Sequence, residues 1–584
     1  MSAAAASANI ARHLPRMAAA QPATPALKIP RGRTADGSID YLTLSFAELE
    51  AEAAAWQSVL TQHGVQRGDR VLVMVRQGLP LIASVFALFA QGAVPVVIDP
   101  GMGRKTFLRC VERTQPRVLL GIPLARVLSH VFRGSFKSVQ VRIAASGSST
   151  ARCPAKSAPT KLNVVTSATD ELAAILFTSG STGAPKGVCY EHGMFNGQVE
   201  LIRQTYDIQP GEIDLPMLPI FALFNPALGM TTVVPEIDPS KPAAVDPAKI
   251  LQAITQEKIT NSFGSPTLWL KIARHCHRER RTLDSMKRVL SAGAPVSPEL
   301  WGLMGPLLPH GELHSPYGAT EALPVSSIAA SSVLAETAAQ TLTGAGTCVG
   351  SIIAGNTVKI IALTDGPIAT LADATELPPG EIGEIIITGP TATQAYDALP
   401  EATARAKIAT GNPHQPNPKP SPKPLGFERS NIGTSGASAP AWHRMGDCGY
   451  LDAKGRLWFC GRAAERVETA AGPLFTEQVE PLFNQHPRIR RSALIGHGRR
   501  PQQRAAIVIE PRDPDLLRST KRCRELGREL RELTRDHPYA GRVTLFYFHP
   551  GFPVDVRHNA KIHRLTLTDW AETEATGFEV DPKK

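Results

Sequence analysis

The chain lacks any long apolar run. The hydrophobic stretch from Leu79 to Ala90 stops at Gln91, short of the ~18 residues that a membrane-spanning helix requires, so no transmembrane span is expected. A continuous apolar segment is also missing from the N-terminal MSAAAASANIARHLPRMAAA, which reads as a frayed tail leading into a helix and not as a signal peptide. The eight cysteines scatter from Cys110 to Cys523 with no CxxC pair. That excludes metal-ligand spacing and points to reduced thiols in a cytoplasm. Aromatic residues are absent around Arg488, Arg490, Arg491, Arg499, Arg500 and Arg504, so no nucleic-acid binding is expected. The helix that follows carries Leu516, Cys523, Leu526, Leu530 and Leu533 on one face and alternating Arg and Glu on the other, the pattern of a solvated amphipathic helix.

What is present is an ordinary globular composition, 43% hydrophobic and 20% charged over 584 residues. That length is too great for one core and implies two or more domains. A formal charge of +11 admits an anionic partner such as a nucleotide, a phospholipid surface or a nucleic acid. Tyr41 onward reads as a strand and a helix, with Ser45 and Glu48 at capping-box spacing. Strands are predicted at Asp69 to Val75, Val94 to Asp99 and Arg117 to Gly121, with helices at Leu79 to Gln91 and around Cys110. Such alternation implies an α/β fold with a parallel, doubly wound sheet, whose ligand sits beyond the carboxyl ends of the strands. Ser146 to Ser167 reads as an irregular connection, and further strands are expected at Ile259 to Ser265 and Lys287 to Ser291.

Ala173 to Gly187, AAILFTSGSTGAPKG, is a buried strand emptying into a phosphate-holding loop. Gly180, Gly183 and Gly187 let backbone N–H groups approach an anion, Thr178, Ser179, Ser181 and Thr182 supply hydroxyls, and Lys186 adds a charge. The P-loop of NTPases is excluded, because Pro185 stands at its second glycine and Gly187 at its Mg²⁺-binding Ser/Thr. A Gly/Ser linker would not follow a buried strand. The segment resembles the signature loop of the acyl-adenylate-forming (AMP-binding) superfamily.

Downstream segments carry the resemblance further. HSPYGATEA matches the family's YGxTE motif. The resemblance implies that Tyr317 stacks on adenine beside Gly318, that Thr320 bonds the α-phosphate and that Glu321 holds Mg²⁺. SAGAP, with Gly293, Ala294 and Pro295, would border the adenine. Phe221, Phe224 and Asn225 occupy the segment that walls the family's acyl pocket, although core packing explains the phenylalanines equally well. Met445-Gly446-Asp447 resembles the motif whose Asp binds ribose hydroxyls, and Gly461-Arg462 the pair that ends the large domain, with Arg462 also reaching the ribose. RHNAKIHR stands at the family's terminal lysine motif and implies Lys561 as the lysine bridging carboxylate and α-phosphate, presented by a polar turn of Asp555, Arg557, His558 and Asn559. His192, His314 and His443 lie near motifs and are assigned no role.

The resemblance implies a large N-terminal adenylation domain over 1–461, containing doubly wound sheets and a β-rich subdomain from Val349 to Gly389. A small mobile α+β lid would occupy 462–584, and 410–440, rich in Pro, Ser and Gly, would be a disordered insertion. After Gly461-Arg462 the chain reads AAERVETAAG, placing Ala464 where relatives carry a hinge acid and Glu468 where they carry a lysine. FALFNPALG, this altered hinge and RHNAKIHR together look most similar to the β-lactone synthetases of bacterial long-chain olefin biosynthesis. Those relatives imply use of ATP and Mg²⁺ on a 2-alkyl-3-hydroxy fatty acid, whose β-hydroxyl then displaces AMP. They also imply association with the pathway's β-lactone decarboxylase and reductase. The alternative within this chemistry is a fatty acyl-CoA or acyl-carrier ligase; outside it stands a non-catalytic scaffold on a degenerate adenylation fold.

Overall fold

The strands of the first sheet are near-continuous apolar runs such as VLVM, VPVV and VLLG, and because successive side chains point to opposite faces, both faces of the sheet are apolar. A computed structural model describes residues 7–155, 159–177, 185–218, 222–238, 244–410, 441–554 and 561–580. Six strands form one sheet in the order Val141–Ala144, Val118–Gly121, Arg70–Met74, Val94–Val97, Leu172–Phe177 and Gly187–Glu191. The first five are parallel, and the last returns antiparallel. Val71, Val73, Val118, Leu120 and Ala174 join the core beneath the helix Leu79–Gln91. Leu72, Leu119, Ile175 and Phe177 face the opposite core, with Cys110 and Val111 of the helix Arg104–Thr114. Helices thus cover both faces, as the strand-helix alternation predicts. The phosphate loop joins the two antiparallel strands; Thr178, Ser179, Gly180, Ser181, Thr182 and Gly183 lie outside the described residues, as do Phe221, the 411–440 stretch and the Asp555 to Asn559 turn.

The second sheet has fourteen strands. Its middle is parallel, through Thr231–Val233, Ile213–Asp214, Asn261–Gly264, Arg288–Ser291 and Glu312–Ala319. The β-rich stretch expected from Val349 continues this sheet, because Thr347–Ile352 pairs with Ala322–Ala329 and then with Arg456–Arg462. The helix Phe46–Gln62 opens on the predicted capping box: Ser45 Oγ accepts from Glu48 N at 3.3 Å and Glu48 Oε2 from Ser45 N at 2.8 Å. The Ala-rich start, expected to fray, docks from Ala8 onward. Ile10 and Leu14 are buried, and Asn9 Nδ2 donates to the Phe89 carbonyl at 2.8 Å.

A smaller unit follows, with a four-stranded sheet of Ile489–His497, Arg504–Pro511, Leu545–Phe548 and Phe578–Glu579. Its two cores again alternate along each strand, Leu494, Ile507 and Phe546 on one face and Ile495, Ala506 and Tyr547 on the other. Cys523, Leu526 and Leu530 of the helix Thr520–Thr534 fill the first core, but Leu533 is 51% exposed. Ten residues beyond Cys523 at ~100° per residue is about 80° off the stripe, whereas Thr534, buried, lies within ~20° of it. Among the described residues no helix is long and apolar enough to cross a membrane, and all eight cysteines are free thiols.

Candidate active site

The residues Thr320 and Glu321 form the two-residue turn of a hairpin, since Ala319 pairs with Ala322 across it. A turn so short projects both side chains beyond the sheet, and other elements fix it from two sides. The Tyr190 hydroxyl donates to the Thr320 carbonyl at 2.5 Å. Thr393 donates to the Glu321 carbonyl through its N–H at 2.9 Å and its hydroxyl at 3.1 Å. The Tyr396 hydroxyl donates to Glu321 Oε1 at 2.8 Å, and Lys186 Nζ lies 4.7 Å over the Tyr396 ring. Burial, reinforced by Glu321, pushes the Tyr396 phenol far up, so it stays a donor.

Beneath Thr393 sits a buried lysine. Lys407 Nζ donates to the Thr393 carbonyl and, at 3.1 Å, to its hydroxyl. Burial pushes this lysine down to about 7, with Glu321 opposing the shift.

Asp447 and Arg462 are cross-strand neighbours, and their side chains form an ion pair at 2.8 Å. Asp447 raises the pKa of Arg462 against the cost of burial. The Tyr317 hydroxyl donates to the second Asp447 oxygen at 2.5 Å; burial and then this carboxylate drive its pKa well above 10.

A cavity of about 2080 Å³ joins these groups. Its polar lining includes Lys186, Thr320, Glu321, Tyr396, Arg462 and Lys561; its apolar lining includes Val85, Phe86, Phe89, Phe195 and Phe224. Gly318 and Gly293 line it too, the latter at φ +94°, a conformation open chiefly to glycine. Tyr317, Asp447, Ala294 and Pro295 are not part of this lining. Asn225 turns away: its buried Nδ2 donates to Asp214 Oδ2 at 2.9 Å and Thr232 Oγ1 at 2.8 Å. His443 lines the cavity with its pKa held well below the usual value by burial.

The sequence alone did not bring out Tyr396, Thr393 or Lys407, because Tyr396 meets Glu321 across 75 residues with no motif of its own. It also passed over Arg564, which bonds both carboxylate oxygens of Glu480 at 2.7 Å and pairs with Glu465 at 3.0 Å. A signal existed for Glu465, an acid one residue beyond Ala464.

A family model described as AMP-binding enzyme matches residues 14–397. The chain is 43% identical to an olefin β-lactone synthetase of Xanthomonas campestris pv. campestris over 96% of this chain and 97% of that protein. It is 42% identical to one of Stenotrophomonas maltophilia over 97% and 98%. In fold it is similar to the amide bond synthetase McbA of Marinactinospora thermotolerans, with a TM-score of 0.72 at 21% identity over 97% of this chain and 99% of that one.

Proposed function

Because the chain belongs to the AMP-binding enzyme family, we propose that it uses ATP to activate the carboxyl group of a long-chain 2-alkyl-3-hydroxy fatty acid and then closes that acid to a β-lactone. One observation carries this reading: a continuous cavity runs from cationic and carboxylate groups, Lys186, Arg462, Lys561 and Glu321, to a wall of Phe86, Phe89, Phe195 and Phe224. Its volume is twice the ~1,000 Å³ upper range of ordinary ligand pockets, room enough for a nucleotide and a fatty chain together.

In the first step a carboxylate oxygen attacks the α-phosphorus of ATP in line, and the bond to the bridging oxygen breaks with its electron pair leaving on pyrophosphate. Lys186 and Lys561 offer fixed positive charge to the phosphate oxygens, while Thr320 supplies a hydroxyl at the hairpin tip. Glu321 suits Mg²⁺, since a single carboxylate completed by phosphate oxygens and water is that ion's preferred site; bound there, Mg²⁺ would neutralise charge on the phosphates. Asp447 and Arg462 would receive the ribose, Tyr317 and the Gly293 segment the adenine. In the second step the C3 hydroxyl attacks the acyl carbon, loses its proton and expels AMP. Nucleophile and electrophile share one molecule, so no second encounter is needed.

Residues 1–461 would form the adenylation body and 462–584 the lid that carries Lys561. This division is supported by cores of the small unit that draw only on residues from Val467 onward. A cytoplasmic setting, with the enzymes that reduce the acid's precursor and decarboxylate the lactone, completes the reading.

The test is incubation with ATP, Mg²⁺ and a 2-alkyl-3-hydroxy acid without thiol. AMP, pyrophosphate and a product lighter than the acid by one water are expected. A strict requirement for CoA would make the chain an acyl-CoA ligase instead.

A further inference from the structure

The nine-residue helix Pro123–Val131 carries an apolar stripe on its outside. Leu124 is 63% exposed, Val127 58% and Val131 66%, and their spacing of three and four residues puts them on one side of the helix. Scattered single leucines on a surface need no explanation, but a stripe of three does.

The segment that carries the stripe is almost uniformly basic. Residues 101–155 contain ten Lys or Arg and one acidic residue, Glu112, which accepts from the Ser135 hydroxyl at 2.6 Å. Arg104, Lys105, Arg109, Arg133 and Lys137 are exposed and have no acidic partner among the described residues. The Arg104 guanidinium lies 5.8 Å from the ring of Phe132, the residue after the helix, so the start of the helix Arg104–Thr114 is packed beside the end of the striped one. Arg104 through this contact, and Arg133 by its place two residues after Val131, therefore flank the end of the stripe.

We propose that this face docks on an anionic phospholipid bilayer, with Leu124, Val127 and Val131 entering the headgroup boundary and the Lys and Arg side chains meeting lipid phosphates. Nucleic acid fits less well, because exposed aliphatic side chains gain nothing against a phosphate backbone. The aromatic residues of this segment, Phe107, Phe132 and Phe136, are not exposed for stacking either. Leu124 and Leu128 also line the large cavity, so the docked helix forms its rim, and a membrane-dissolved acid could pass from bilayer to pocket. That delivery rests on the lipid-acid reading above; the docking does not.

Sedimentation with vesicles tests it. The full chain is expected to pellet with phosphatidylcholine vesicles containing about one third phosphatidylglycerol, and not with phosphatidylcholine alone, with binding that weakens as salt rises. Val127→Asp with Val131→Asp, and separately Lys105→Glu with Arg109→Glu, should each weaken vesicle binding by about tenfold or more. Melting temperature and pyrophosphate release from ATP with a soluble short-chain β-hydroxy acid should stay unchanged. Failure to bind anionic vesicles at low salt, equal binding to neutral ones, binding by both double variants as tight as the parent's, or preferential retention by duplex DNA would each overturn the proposal. Vesicle binding is read without ATP or acid, so a failure of the lactone reading leaves it intact.

Discussion

At Glu321 a two-residue turn concentrates the polar chemistry of the site, and a tyrosine 75 residues away holds its carboxylate. Tyr396→Phe keeps the ring under Lys186 and removes only the hydroxyl. A hydrogen bond to a charged group is worth roughly 1.5–3 kcal/mol, so pyrophosphate release should fall about ten- to a hundredfold, with more Mg²⁺ needed for half-maximal rate. An Mg²⁺ titration of the variant checks this. Asp214 offers a different test. Burial pushes its carboxyl up to about 7, with Asn225 opposing the shift, so the folded chain keeps a proton that the unfolded chain releases near pH 4. Stability from this group is complete below that pH and is lost as pH rises to about 7. Asp214→Asn still accepts from Asn225 without titrating, and should gain on the parent between pH 5 and 8, as measured by urea denaturation.

Among the elements, the helix Thr520–Thr534 shows how far a pattern carries. Leu526 is fully buried and Leu533 half exposed, although both continue a leucine series in the sequence. Leu526→Ala should destabilise the small unit by about 2–5 kcal/mol, while Leu533→Ala should stay within about 0.5 kcal/mol of the parent. Thermal unfolding of the two variants separates them. The hairpin from Glu312 to Ala329 illustrates the opposite case: its motif was plain, but only strand pairing made Thr320 and Glu321 a two-residue turn.

For the molecule as a whole, the question is how the small unit brings Lys561 to a cavity built by the large one. Gln485 Nε2 donates to the Leu342 carbonyl at 2.9 Å, Thr347 Oγ1 to Glu477 Oε2 at 2.7 Å, and His537 Nε2 meets the Thr343 carbonyl at 3.0 Å. Three residues beyond Lys561, Arg564 is clamped by Glu480 and Glu465. Lys561→Ala should lower pyrophosphate release by about a hundredfold or more with the melting temperature unchanged. Arg564→Met leaves two buried carboxylates without their cation, a loss of about 3–5 kcal/mol. It should therefore lower both melting temperature and rate, and speed hydrogen exchange across 466–580.

The sequence by itself determined the family, the alternating strands and helices, the capping box at Ser45 and the motif residues Lys186, Glu321, Asp447, Arg462 and Lys561. Each is a local pattern, set by spacing along a few residues. Only the tertiary structure decided that Tyr396 and Thr393 hold Glu321, that Asn225 serves Asp214 and Thr232, and that Arg564 ties Glu465 to Glu480. It also decided that the stripe at Leu124, Val127 and Val131 stays uncovered. These depend on contacts between segments far apart in the chain, and an apolar helical stripe looks the same in sequence whether a core or a lipid surface will cover it.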